Sequence, residues 1–291
     1  MGTTVSYSQY AAHSECPFKY KRRYVDGNYI AVPNIHAIFG TAMHETIQEW
    51  LIILYGKSQI AANEMDYITY LKDRMSANFL EAKKKLKEGY PATREEMVEF
   101  WKQGVETLEW LRKPKNRIKY YALKGWRLHG IEILLEVDVR PNVTYKGYLD
   151  IVLTNGKKYK IIDLKTSTKG WGKWAKKDKL KNQQLVLYKK LYAEKLGVPL
   201  EDIDIEFHIL KRKLWEDIEF VQPRVQRWTP SHGIVSTNRA YKDFMEFVDR
   251  VFDEDGNRRT DIEYPKTPGE YTCRFCEFSD PALGLCDQTA D

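Results

Sequence analysis

The chain has 291 residues, 43% of them hydrophobic, with a net charge of +6. That length supports one elaborated domain, or a core with a helical insertion. No run of about 18 apolar residues occurs and the start, MGTTVSYSQYAAHSE, has no basic region ahead of an apolar stretch, so neither a transmembrane helix nor a secretory signal is predicted. Gly2 with Ser6 matches a myristoylation site only superficially. The expectation is a soluble, intracellular, cytoplasmic protein.

In chain order, residues 5 to 25 read as helical, and residues 36 to 55 as a strongly amphipathic helix with Ile47, Trp50, Leu51 and Leu54 at helical spacing. His44 lies one turn before Ile47 and two before Leu51, so it shares the buried face, where a neutral imidazole can complete a metal shell. Asn63 is predicted to cap a helix over 64–88. Thr93 with Glu96 predicts a capping box for another over 94–112. These form a predicted helical insertion, 57–115, ahead of a sheet core over 116–230. Strand 133–140 puts Glu136 and Asp138 on one face.

Two alternating segments, 145–153 and 158–167, flank Asn155-Gly156 and read as a tight hairpin. With a two-residue loop, Thr154 pairs with Lys157, Asp150 with Ile161 and Tyr148 with Asp163. Asp150, Asp163 and Lys165 then share one sheet face, the carboxylates roughly 7–8 Å apart at Cα and able to reach one cation. Like charges so placed repel unless a cation or proton intervenes. Phosphodiester cleavage needs a hard cation that binds phosphate and acidifies water, and Lys165 adds charge where the transition state becomes negative.

Residues 169–181, KGWGKWAKKDKLK, hold six lysines against one acid, Asp178. Lys169, Lys173, Lys176 and Lys177 with the interleaved Trp171 and Trp174 are candidate DNA contacts, ammonium for phosphate and indole for unpaired bases. Lys179–Leu196 reads as a helix stopped by Gly197 and Pro199. Gln184 and Tyr188 stack on one of its faces and can bond phosphate or a base edge. Strands near 203–212 and 218–228 and a helix over 234–253 precede a cysteine-bearing tail, giving a mixed α/β domain. No G-x-x-x-x-G-K-[ST] occurs, so unwinding would need a partner.

Gly40-x-x-x-His44, Glu136, Gly147-x-Leu149-Asp150, Asp163-x-Lys165 and Gln184-x-x-x-Tyr188, in this order, closely resemble the motifs of the PD-(D/E)xK nucleases of the RecB-like type. The resemblance spans nearly the whole chain. It implies an α/β fold, an αβββαβ core with a mixed central sheet flanked by helices, and a single nuclease domain over 1–291. It also implies that His44, Asp150, Asp163 and the Leu164 carbonyl bind Mg²⁺ or Mn²⁺. Lys165 would activate water and stabilise the phosphorane, with Glu136 adding an acid and Gln184 and Tyr188 contacting DNA. Asp163 stands where the family commonly has Glu, and both are hard oxygen ligands. The implied activity is a metal-dependent deoxyribonuclease, an exonuclease on DNA ends or single strands. An endonuclease, an adaptation-type trimming nuclease and a non-catalytic DNA-binding subunit of a repair or recombination complex are the alternatives. A helicase or recombination protein is a possible partner, and no membrane partner is expected.

Cys16, Cys273, Cys276 and Cys286 read as one site, metal-binding rather than disulfide in an intracellular protein. Four thiolates suit Zn²⁺ or an iron–sulfur cluster. The arrangement is similar to the [4Fe–4S] staple of AddB-type and CRISPR adaptation nucleases, one N-terminal cysteine with three C-terminal ones. The resemblance favours the cluster, with residues 1–25 and 265–291 as the stapled ends. Nine residues separate Cys276 from Cys286, longer than the family spacing.

Overall fold

The computed structural model describes residues 2–30, 33–86 and 88–287. Met1 and residues 288–291 of the predicted staple, and Lys87 of the helix predicted over 64–88, lie outside them. The chain opens with strand β1 (Thr3–Val5) and helices α1 (Tyr7–Glu15) and α2 (Pro17–Tyr20). Helix α3 (Ile35–Gly56) follows, its N-terminus capped by the Asn34 side chain. Then come α4 (Gln59–Glu64), α5 (Tyr67–Lys84), α6 (Arg94–Arg112) and α7 (Pro114–Tyr120). The Thr93–Glu96 capping box of α6 is formed in both directions, at 3.1 and 2.8 Å. Asn63 sits inside α4 instead of capping. Asp66 takes that role by accepting from the Thr69 amide at 3.0 Å. The sheet core expected from residue 116 starts later, because Pro114 opens α7 at a favoured first-turn position.

Strands β2 (Arg127–Arg140), β3 (Val143–Thr154) and β4 (Tyr159–Ser167) form an antiparallel meander. Helices α8 (Lys173–Lys177) and α9 (Lys179–Leu196) lead to β5 (Ile203–Lys211), parallel to β4, and to β6 (Val225–Trp228). Asp178 caps α9 and Gly197 closes it in the left-handed region, as the sequence predicts. Residues 218–224, expected as strand, are loop. Helices α10 (Ile234–Val251) and α11 (Glu270–Arg274) complete the chain. This is a mixed α/β fold: a central mixed sheet flanked by helices, with α3, β2–β4, α9 and β5 in αβββαβ order.

Alternation along the strands divides the core between the two sheet faces. Ile151, Leu153, Ile162 and Leu164 pack against α3 and α6, while Val152, Ile161, Phe207 and Ile209 pack against α1, α9 and α10. One edge of β3 pairs with β2 along its length. The other is shared by β1 at Val143–Tyr145 and β4 at Ile151–Thr154. Thr154 pairs with Tyr159, not Lys157, so the loop has four residues. The cause is the Asn155 side chain, which accepts from the Lys157 and Lys158 amides at 3.0 and 2.8 Å and widens the turn. The slip is two residues, which preserves every side chain's face.

Candidate active site

β3 and β4 stop pairing at Ile151 and Ile162. One step further the register sets Asp150 opposite Asp163, where the strands splay. The Leu164 amide, lacking a strand partner there, donates to Asp150 Oδ2 at 2.7 Å. His44 enters from α3, its Nδ1 3.7 Å from the same oxygen. Lys165 Nζ lies 2.7 Å from Asp163 Oδ2, the Asp163 side chain buried and the Lys165 side chain one-third exposed. His44, Asp150, Asp163 and Lys165 thus converge on one splayed strand pair.

Glu132 joins them in place of Glu136. The β2 register pairs Ile131 with Ile151 and Ile133 with Leu149, which sets Glu132 across from Asp150. Its carboxylate, the Asp150 carboxylate and a His44 nitrogen lie within 4.8 Å of one another, close enough for ligands of one ion. Gln48, one turn beyond His44, donates to Glu132 Oε1 at 2.5 Å and to the Asp150 carbonyl at 3.3 Å. Glu136 instead pairs with Lys146 Nζ at 2.7 Å further along the strand. Asp138 accepts from Thr144 Oγ1 at 2.6 Å.

Glu132 has φ +47°, a left-handed conformation inside a strand. Such backbone costs a non-glycine residue about 1–3 kcal/mol and collects at functional sites. Glu132→Gly is therefore expected to weaken Mn²⁺ binding about tenfold or more while leaving the melting temperature in chelator unchanged or higher. Calorimetric titration and a melt check this; lower metal-free stability with unchanged affinity would make Glu132 structural.

The electrostatics fit a cation site. Burial pushes the His44 imidazole down to about 4, outweighing Asp163, so the ring is neutral with a lone pair to offer. Burial, then the Asp163 charge, raises the Asp150 carboxyl well above the usual range. Burial opposes the Lys165 charge, but Asp163 and Asp150 together raise its pKa. The Leu164 backbone is close enough to His44 to act against the effect of burial on the imidazole, which places that residue beside the donors.

On α9, Gln184 Nε2 donates to Tyr188 Oη at 3.1 Å. Burial, then Asp163, raises the Tyr188 hydroxyl to about 12. Gly147 admits this ring: a Cβ there would meet Tyr188 Cε1 at 3.1 Å. Within the basic segment, Trp174 is 83% exposed, and Lys173 and Lys177 face solvent. Lys176 lies over the Trp228 ring and Lys169 over Trp215, at 5.4 and 4.2 Å. Trp171 is no open stacking platform. Its ring packs on Phe207 at 5.0 Å and its backbone is clamped by the Gln226 amide.

Cys16, Cys273, Cys276 and Cys286 line one small cavity where the chain ends meet. The Thr267 amide points at Cys16 Sγ at 3.4 Å, and Phe18 bonds the Pro265 carbonyl.

A family model described as the PD-(D/E)XK nuclease superfamily matches residues 4–280. The curated proteins gave no match. A solved structure titled "Crystal structure of SSO0001" is similar over 94% of this chain and 96% of that one, at 11% identity and a TM-score of 0.32, too low to carry an argument. Among the described residues no helix is long and apolar enough to cross a membrane. The family match runs unbroken through α3, the splayed β3–β4 pair and α9, the elements that deliver these side chains, and on that match the chain belongs to the PD-(D/E)XK nuclease superfamily of metal-dependent nucleases.

Proposed function

We propose that this protein is a divalent-metal-dependent deoxyribonuclease of the RecB-like type, an exonuclease acting on DNA ends or single strands. The observation that carries the reading is the convergence of His44, Glu132 and Asp150 around one point, with the Asp163–Lys165 pair beside it. The three donors fit Mg²⁺ or Mn²⁺, and the imidazole inclines the set toward Mn²⁺. Such an ion, when bound, holds phosphate and lowers the pKa of a coordinated water. Asp163 and the Leu164 carbonyl lie next to the donors. Asp163 holds the Lys165 ammonium toward the phosphoryl oxygens, where charge grows in the transition state. The Gln184–Tyr188 pair, whose hydroxyl feels the Asp163 charge, positions the strand. Trp174 and the lysines of α8 offer stacking and phosphate contacts beyond it. Digestion of end-labelled linear, single-stranded and closed circular DNA with Mg²⁺ or Mn²⁺ tests this. Cutting of linear substrates alone supports the exonuclease; circular cutting makes it an endonuclease, and binding without cutting a DNA-binding subunit.

At the chain ends we propose a [4Fe–4S] cluster held by Cys16, Cys273, Cys276 and Cys286. What supports the reading is that all four cysteines, one near the start of the chain and three near its end, line one cavity. Anaerobic purification is expected to give a brown protein absorbing near about 400 nm, colourless once Cys286→Ser is introduced. Stoichiometric zinc in a colourless wild type would overturn the cluster.

A further inference from the structure

A basic cavity, of about 480 Å³, opens at the ends of β4, β5 and β6. Lys119, Lys169, Lys211 and Arg227 line it with Tyr120 and Trp215, and among the described residues no acid does. Arg227 is neutralised by Glu206 at 2.7 Å. Lys211 is different: the residue is only 9% exposed, its ammonium makes no hydrogen bond or ion pair among the described residues, and it is not sealed in the core but lines the cavity. Burial, then Arg224, lowers its pKa. A lysine so placed lacks a counter-charge that an anion in the cavity would supply.

The cavity is built, not incidental. Gly170, at φ +97°, brings the loop after β4 against it; a Cβ there would meet Gln226 Oε1 at 2.9 Å and Lys211 Cδ at 3.1 Å. Gln226 then locks the loop by bonding both backbone groups of Trp171, at 2.6 and 3.1 Å. Its place relative to the candidate active site follows from register. Lys165 pairs with Ile209 and Ser167 with Lys211 in parallel strands, so Lys211 lies on the sheet face of Lys165, two residues along and one strand across. That is roughly 8 Å between Cα positions, a separation that one nucleotide step of an extended strand covers.

We propose that this cavity binds a backbone phosphate of the DNA strand being cut, the one adjacent to the scissile phosphate, with Lys211 as its principal contact and Trp215 beside the neighbouring base. The proposal rests on the nuclease reading and deepens it. Lys211 would fix how far the strand advances past Lys165 and so where it is cut.

The test uses single-stranded oligonucleotides carrying one uncharged methylphosphonate, moved one step to either side of the cut site. In the wild type, the modification at one of the two adjacent positions is expected to slow cleavage about tenfold, the effect of losing one charge-assisted contact. In Lys211→Met, which keeps the packed stem, unmodified DNA is cut about tenfold more slowly and the modification adds nothing further. Equal penalties in both proteins, or none in either, overturn the proposal. If inorganic phosphate inhibits the wild type but not Lys211→Met, with no methylphosphonate effect, the pocket serves a free anion and the proposal also falls. If the wild type cuts nothing, the nuclease reading fails. Affinities of the same oligonucleotides for the two proteins then decide the pocket by the same pattern.

Discussion

Lys165→Met is expected to lower the cleavage rate by about 10²–10³-fold while leaving DNA affinity within about twofold. The asymmetry follows from where this ammonium sits. Asp163 holds it at 2.7 Å beside the cation donors, and Asp150 adds to the field that keeps it charged. It meets phosphate oxygens most strongly when they carry extra charge, so its loss raises the barrier more than it weakens the ground-state complex. Other cations remain for binding, among them Lys169, Lys173 and Lys176. Methionine keeps the aliphatic stem, which runs 6.0 Å from the Phe207 ring centre at Nζ, so the fold should stay intact. Burst kinetics with Mn²⁺ and anisotropy with Ca²⁺ in its place give the two numbers. If affinity fell as far as rate, Lys165 would be a strand anchor and the acid group would need another electrophilic partner.

What the sequence disclosed and what it hid separate by the range of the interactions involved. The limits of α6 and α9 are written locally, in the Thr93–Glu96 box, Asp178 and Gly197, and the structure repeats them. A two-residue loop at Asn155-Gly156 implies the wrong register yet still puts Asp150, Asp163 and Lys165 on one face, because strand side chains repeat every two residues and the slip is also two. Glu132 was hidden for a different reason. The sequence reads as a strand from Ile133, whereas β2 begins at Arg127 with a register shift between Leu128 and Gly130, and positive φ is not anticipated for a glutamate. Gln48 carried a readable signal, its four-residue spacing from His44. Nothing near Trp171 or Lys211 announces that Gln226 clamps one or that the other lines a cavity without an acid. Those facts come from β5 and β6 meeting the loop after β4.

Divalent metal should stabilise the protein more at high pH than at low pH, and Asp150 should be the reason. In the metal-free protein, burial and then Asp163 raise its carboxyl above the unfolded value of about 3.9. The folded state therefore binds the proton more tightly than the unfolded chain. The stability this contributes is complete below the unfolded pKa and is lost as pH rises through the folded one. His44 runs the other way. Its folded value of about 4 lies below the unfolded value near 6.5, so its contribution is lost as pH falls from about 6.5 toward 4. Subtracting Asp150→Asn melts from wild-type melts in chelator isolates the carboxyl, and the difference should favour the wild type less with each rise in pH. A cation needs the ionised carboxylate and competes with the proton over the same window. At free Mn²⁺ near a hundred times its dissociation constant, the wild type should gain roughly 5 °C at pH 8 and progressively less toward pH 5, whereas Asp150→Asn should gain little at any pH. A gain independent of pH, or one that survives Asp150→Asn, would place the ion elsewhere and leave the Asp150–Asp163 pair as a proton-sharing structural contact.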